Sequence, residues 1–292
     1  CYTRDMDIRS LHYFVTIAQE KKITRAAERL LITQPTLSRQ LKELEEELGV
    51  SLFHRANREM TLTEDGQYLY NRAQEILQLV SKTEENLTRK GEIGGDLYIG
   101  TAETASFDFV ADACRSLLEI YPQIRLNFYD DNADSLYEKL DKGTLDFALV
   151  FTHAIPAKYK MIQLPRKDQW GVLVPKNHPL TKLEQVTVEE IVSYPLIVSN
   201  QSDIDKSAFA NYDYKVVATY NLLYTASRLV QAGLGIAPCL DGIVDHPELV
   251  FLPCTNQGDE GYYLIWKDRH DQTATEKAFL EEIEAQLYEI EN

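Results

Sequence analysis

"ITQPTLSRQLKELEEELG", running from Ile32 to Gly49, is the stretch on which the fold turns. Thr33 stands where a helix N-cap belongs, and Gln34 and Pro35 follow in the first turn, where a missing backbone N–H costs nothing. Leu37, Leu41, Leu44 and Leu48 then step by four, three and four residues, which stacks them on one buried helical face. At about 100° per residue, Pro35, Arg39 and Lys42 point nearly opposite that stripe, with Thr36, Ser38 and Glu43 on its shoulders. The spacing predicts a helix that shows the outside a short polar and basic patch near its N-terminus. The acidic run Glu45, Glu46 and Glu47 comes afterwards, at the end expected to point away from a phosphate backbone.

Upstream, Leu11, Phe14, Val15 and Ala18 form one helical stripe within Ile8 to Glu20. Thr24 is predicted to cap a second helix from Arg25 to about Leu30, whose small Ala26 and Ala27 allow another helix to pack closely. Leu31, Ile32 and Thr33 make the turn. Two helices joined by a tight turn, the second offering small polar and basic side chains near its start, have the geometry that enters a DNA major groove. Arg39 carries the two-pronged donor set that matches a guanine edge, and Thr36 and Ser38 have the reach of bases or phosphates. A solvated face in any three-helix domain would show the same spacing, so the pattern alone leaves both readings open.

The charge distribution bears on that choice. The chain has 292 residues and a formal net charge of -16. Up to Leu62 there are 10 Lys and Arg against 9 Asp and Glu, a net of +1, whereas the remainder has 20 against 37, a net of -17. The N-terminal piece is the part electrostatically suited to approach a polyanion. No apolar run nears the roughly 18 residues of a membrane span, and no signal-peptide pattern opens the chain, so a cytosolic protein is expected. Met6 reads as a natural start.

The segment "ITRAAERLLITQPTLSRQLKELEEELGVSLFHR" resembles the winged helix-turn-helix of LysR-type transcriptional regulators. The match is dense and without gaps, at Ala26, Ala27, Leu30, Gln34, Pro35, Leu37, Ser38, Leu44, Glu45, Leu48, Gly49, Leu52, Phe53 and Arg55. The resemblance implies that Thr24, Gln34, Pro35, Thr36, Ser38, Arg39 and Lys42 face double-stranded DNA. It implies a wing in "FHRANREMTLTEDG", with His54, Arg55 and Arg58 along phosphates or in the minor groove.

Beyond Thr63, a candidate cap, Leu69, Ala73, Ile76, Val80, Thr83 and Leu87 alternate steps of four and three, a heptad seam suited to self-association. The flanking Asn71, Arg72, Gln74, Glu75, Gln78, Lys82, Glu84 and Glu85 leave the other faces polar. A homodimer follows, and it multiplies the selectivity of one short recognition helix. The resemblance agrees, since LysR-type proteins dimerise through this linker and commonly assemble into homotetramers.

Gly91, Gly94 and Gly95 end the helix, and strand-like and helical runs then alternate: "DLYIGTA", Phe107 to Tyr121, "IRLNFYD", Ala133 to Lys142 and "LDFALVF". A second set runs from "WGVLVP" through "PLIVSN", "YKVVATY" and Leu222 to Ala232 into "GLGIAP", before "YYLIWK" and a last helix, Thr275 to Glu289. This is βα repetition in two open α/β lobes, which bind small molecules between them where helix N-termini and strand ends converge. The resemblance implies the same effector domain, of periplasmic-binding-protein type. The expected organisation is a winged helix-turn-helix over 6–62, a linker helix over 63–91 and an effector domain over 92–292. Lobe one is expected over 92–164 plus 267–292, and lobe two over 165–266.

Strand ends nominate the effector-binding residues. Thr101, Glu103, Thr104 and Ser106 precede a helix; Phe151 and Thr152 end a strand; Ser199, Asn200 and Gln201 end another; Tyr220 and Asn221 a third. Trp170, with Asp168, is expected to line the same cleft. Glu103 would repel a carboxylate unless paired and suits an amine or polyol. The resemblance further implies contact with RNA polymerase.

Catalytic signatures are missing. His12, His54, His153, His178, His246 and His270 show no metal-ligand spacing, and no GxSxG elbow or P-loop occurs. Gly233 and Gly235 follow their helix where a dinucleotide fingerprint would precede one, so that reading is rejected. Cys1, Cys114, Cys239 and Cys254 share no metal or redox spacing. No enzyme, metal or cofactor is expected. The other class left open is a cytosolic small-molecule-binding protein whose N-terminal helices serve association alone.

Overall fold

Asp7 sets the start of helix α1 (Ile8–Glu20), its carboxylate accepting the Ser10 N–H at 2.6 Å. In the computed structural model, which describes residues 6–54, 59–89, 91–151, 155–200, 208–255, 260–268 and 272–291, the chain divides into two units, Cys1–Lys90 and Gly91–Asn292. In the first unit α1 is followed by α2 (Ile23–Arg29), α3 (Gln34–Leu48), a two-stranded hairpin of β1 (Phe53–His54) and β2 (Thr61–Leu62), and the long helix α4 (Glu64–Arg89). Leu11, Phe14, Ile17, Ala26, Ala27, Leu37, Leu41, Leu44, Leu52 and Phe53 bury their side chains together, so the stripes read from the sequence become one core.

Helix α2 begins two residues earlier than expected, at Ile23. Lys22 is its N-cap and no side chain caps it, while Thr24 lies inside the helix, exposed. The tight turn from α1 explains the shift: Lys21 adopts a left-handed conformation with φ 54°, and Ala26 donates its N–H back to Lys22. Thr33 does occupy the N-cap of α3, but its hydroxyl pairs with that of Thr36 at 2.8 Å and caps no backbone N–H. Thr63 behaves as expected, accepting the Gly66 N–H at 2.9 Å. A side chain at Gly66 would meet the Leu52 carbonyl oxygen at 2.0 Å, so α4 seats against the hairpin only because this position has no Cβ.

Glu45 departs further from its sequence reading. It is buried, and its Oε1 accepts the N–H of Leu52 at 2.8 Å and of Phe53 at 3.4 Å. It therefore ties α3 to the entry of the hairpin. One helical turn separates buried Leu41 from Glu45, so the carboxylate lies on the leucine side of the helix, away from its exposed neighbour Glu46.

Among the described residues the strands of the second unit gather in two groups, one five-stranded sheet and one three-stranded sheet extended by a pair of strands. The first has the order β4 (Ile124–Asp130), β3 (Gly95–Thr101), β5 (Phe147–Phe151), β12 (Glu260–Lys267) and β6 (Tyr159–Asp168). Strands β4, β3 and β5 run parallel, and β12 is antiparallel to both its neighbours. Helices α5 (Phe107–Ile120) and α9 (Ala274–Glu291) pack on one face around Phe147, Phe279 and Leu117. Helix α6 (Ala133–Lys142) covers the other face with Leu136 and Leu140. Central β5 is fully buried from Phe147 to Val150, as a strand covered on both faces must be.

The second sheet is built on β7 (Trp170–Pro175), flanked by antiparallel β10 (Ala237–Leu240) and β11 (Leu249–Pro253). Parallel β8 (Pro195–Ser199) and β9 (Lys215–Tyr220) join it through Ile236, which donates to the Pro195 carbonyl and accepts from Ile197, both at 2.9 Å. Any Cβ at Gly235 would strike the Pro195 carbonyl oxygen at 2.4 Å, so this glycine serves strand approach. Helix α8 (Leu223–Gln231) lies on the sheet through Leu223, Ala226 and Val230, with the short α7 (Val188–Val192) in the cluster around Ile191.

The lobes exchange strands differently from the sequence reading. That reading ended lobe two at residue 266, but β12 pairs with β5 and β6 and belongs to the first sheet, as does all of β6 through Asp168. The apolar run "YYLIWK" fits a central strand of either sheet; long-range pairing with "FALVF" decides which.

Candidate functional site

The exposed side of α3 carries the first candidate surface. Gln34, Pro35, Arg39 and Lys42 are exposed, Thr36 and Ser38 half-buried, and Leu37, Leu41 and Leu44 lie beneath in the core. The Arg39 side chain is 70% exposed and lies 3.6 Å from Glu43; that of Lys42 is 66% exposed and 3.0 Å from Glu46. Such exposed ion pairs hold their partners weakly, so either cation is available to a stronger anion. Gln34 Nε2 donates to the Ser38 hydroxyl at 3.4 Å, keeping two small polar groups on one ridge. His54 is exposed on β1, while Arg55 and Arg58 lie outside the described residues. The turn before this ridge is unusual: Leu31 has φ 56° and is 92% exposed.

The predicted seam on α4 divides in two. Ala73 is fully buried and Leu69 partly buried within the first unit's own core, so these positions are committed inside the chain. Ile76 and Leu87 are exposed at 37% and 69%, Thr83 is exposed and Val80 half-buried; Leu79, outside the seam, is also exposed.

The second candidate site forms where the chain crosses between the sheets of the second unit. Asp168, at the end of β6, is fully buried. It accepts the Thr104 hydroxyl in a short bond and the Ser106 hydroxyl at 2.9 Å, and Arg166 Nε approaches it to 3.3 Å. Arg166 also reaches Asp241 at 3.2 Å, and Asp241 accepts the Gln169 N–H at 2.7 Å. Gly242, with φ 70°, fits beneath: a Cβ there would lie 2.7 Å from both Ala105 and the Arg166 guanidinium. The loop after β3 is thereby bolted to the crossing strand.

Glu103, in the same loop, spans the lobes. Its Oε2 accepts the Leu223 N–H at 2.6 Å, the first residue of α8. Burial pushes its carboxyl above the usual carboxylate range, Leu223 opposes that shift, and the charge of Asp130 adds to it. Tyr220 is buried, its hydroxyl 3.4 Å from the Pro238 carbonyl and driven upward in pKa, chiefly by burial.

The remaining nominated residues take varied places. Thr101 is buried and donates to the Ala102 carbonyl at 2.8 Å, which makes it part of the strand end. Phe151 is half-buried with its ring 5.9 Å from that of Tyr262. Trp170 is half-buried, its carbonyl accepting the Cys254 N–H at 2.9 Å. Ser199 is half-buried, Asn200 exposed and donating to the Tyr220 carbonyl at 2.7 Å, and Asn221 exposed just before α8. Thr152 and Gln201 lie outside the described residues. Arg166, Asp241 and the Leu223 N–H were missed. Arg166 and Asp168 share strand β6, but Arg166 with Asp241 and Leu223 with Glu103 are 75 and 120 residues apart, and only the tertiary fold brings those together.

Burial pushes the thiols of Cys114 and Cys239 up to about 12 and that of Cys254 upward, so they remain protonated near neutral pH. Among the described residues no cluster of three His, Cys, Asp or Glu could hold a metal ion, and no helix is long and apolar enough to cross a membrane.

The model of the LysR substrate binding domain matches residues 90–287, and that of the bacterial regulatory helix-turn-helix protein, lysR family, matches residues 8–67. The chain belongs to the LysR family. Like other LysR proteins it joins an N-terminal helix-turn-helix to a two-lobed effector-binding domain. It is 32% identical over 196 residues to the HTH-type transcriptional regulator AlsR of Bacillus subtilis, covering 66% of this chain and 64% of AlsR. It is 28% identical over 289 residues to the HTH-type transcriptional regulator YnfL of Escherichia coli, covering 94% of this chain and 97% of YnfL. The full-length CbnR structure complexed with its target DNA shares the fold, with a TM-score of 0.72 over 96% of this chain and 99% of that one, at 18% identity.

Proposed function

We propose that this LysR-family protein regulates transcription by binding double-stranded DNA as a homodimer, itself paired into a tetramer, under control of a small molecule held between the α/β lobes. Gln34, Pro35, Thr36, Ser38, Arg39 and Lys42 of α3 read or grip the duplex, and Thr24, His54, Arg55 and Arg58 contribute to backbone contact. The observation that carries the reading is the exposed ridge of α3 backed by buried leucines. A helix kept only for association would have little reason to hold two weakly paired cations and small polar groups in the open. The exposed Ile76 and Leu87 of α4 favour pairing of two copies, which doubles the recognition surface. The effector acts through the lobes on RNA polymerase. The reading gives the protein no catalytic role and places it in the cytoplasm with its DNA.

Binding to a fluorescent duplex from the region upstream of its own gene, with competitor DNA present, tests the assignment. Arg39→Ala is expected to weaken specific binding by about 1–3 kcal/mol and relax selectivity. Lys42→Ala is expected to weaken all sequences alike and flatten the salt dependence by about one unit of slope. Wild-type affinity and selectivity in a folded Arg39→Ala protein would refute it.

A further inference from the structure

Helices α5 and α8 begin at the junction of the lobes, where an anionic effector would seek hydroxyl and backbone N–H donors. At each start a carboxylate of the chain already accepts from such donors. At the start of α5 the Thr104 and Ser106 hydroxyls donate to Asp168, and the Ser106 N–H donates to the Thr104 hydroxyl oxygen at 2.9 Å. At the start of α8 the Leu223 N–H donates to Glu103, which reaches across from the other lobe. Arg166 is engaged as well, held between Asp168 and Asp241.

Asp168 is buried, ion-paired and fixed by two hydroxyls, whereas Glu103 is only half-buried and, among the described residues, no cation is one of the groups that shift its pKa. Asp130 adds negative charge nearby. Glu103 is thus the less enclosed of the two carboxylates. A second carboxylate brought to the α8 end would confront it without the N–H that is already taken.

We infer that Glu103 is an internal anion that closes this cleft to carboxylate and phosphate effectors and selects a ligand that donates hydrogen bonds there through hydroxyl or ammonium groups. The inference rests on reading the cleft as the effector seat. Glu103 then sets specificity by occupying the α8 terminus, and no relay through other residues is required.

Calorimetry on the full-length protein with acetate, benzoate, succinate and inorganic phosphate at constant ionic strength tests it. Wild type is expected to bind none at millimolar concentration. Glu103→Ser, which frees the Leu223 N–H and removes the charge, is expected to gain binding of at least one carboxylate by about tenfold or more. Glu103→Gln, which keeps an acceptor for Leu223, serves as a second folded variant and is expected to gain less. Circular dichroism confirms folding, and the Leu223 amide resonance reports whether the gained anion sits at α8. Wild-type binding of these anions at α8, or folded variants that gain none, would overturn the inference. Neither result depends on DNA: if a cleft ligand leaves operator binding and transcription unchanged, the regulatory reading fails while anion exclusion stands.

Discussion

Replacing Glu45 isolates the link between helix α3 and the hairpin. In Glu45→Ala the N–H groups of Leu52 and Phe53 lose the carboxylate they share at 2.8 and 3.4 Å. Leu52 and Phe53 are 1% and 2% exposed, so water has poor access to replace it. A charge-assisted bond to a buried donor contributes about 1.5–3 kcal/mol. The contact at 3.4 Å adds little, so the expected loss is about 2 kcal/mol. For a domain of this size that lowers Tm by roughly 8–16 °C. Glu45→Gln retains an acceptor and should lose about half as much. The assay is calorimetric unfolding of the full-length protein, resolving the transition of the first unit, alongside DNA-binding titrations. Looser hairpin seating predicts weaker DNA binding in Glu45→Ala even though Glu45 is buried. An unchanged transition and unchanged affinity in Glu45→Ala would refute the reasoning.

Two further outcomes follow from backbone and charge. Leu31→Gly relieves a left-handed conformation at an almost fully exposed position, so it should stabilise the first unit by about 0.5–1 kcal/mol in urea unfolding; destabilisation would show that the leucine packs usefully. Because Glu103 titrates above its unfolded value, folding is favoured by its protonated form, and that favour is lost as pH rises through the raised value. The stability advantage of Glu103→Gln over wild type should therefore be largest near neutral pH and shrink as pH falls toward the ordinary value of 4.5, measured by urea unfolding at several pH values; a pH-independent difference would contradict it.

Local periodicity made much of the architecture legible. The leucine steps of α3, the stripe of α1 and the alternation of strands and helices from Gly95 to Phe151 depend on which face is buried, and burial leaves its mark in neighbouring residues. The exposed ridge of α3 was readable for the same reason, being the complement of its buried stripe. The ten-residue β6 was not readable because only Tyr159, Leu164 and Asp168 along it are buried, which leaves no alternation, and the five-residue β11 and α7 are too brief to carry a period. Thr24 misled because a good capping residue competes with the backbone geometry of the preceding turn, and Lys21 in a left-handed conformation won.

Tertiary structure alone decided the rest. Glu45 looked like one of three solvated glutamates until the hairpin returned two N–H groups to it. Leu69 and Ala73 looked like a partner-facing seam until the winged core claimed them. Thr104, Ser106, Arg166, Asp168 and Asp241 form one cluster, and Glu103 meets Leu223, only because strands cross between two sheets. Side-chain period is a property of consecutive residues and is written in the chain; hydrogen bonding between separate segments, from 7 to 120 residues apart here, depends on where the folded backbone brings them, and no local pattern records it.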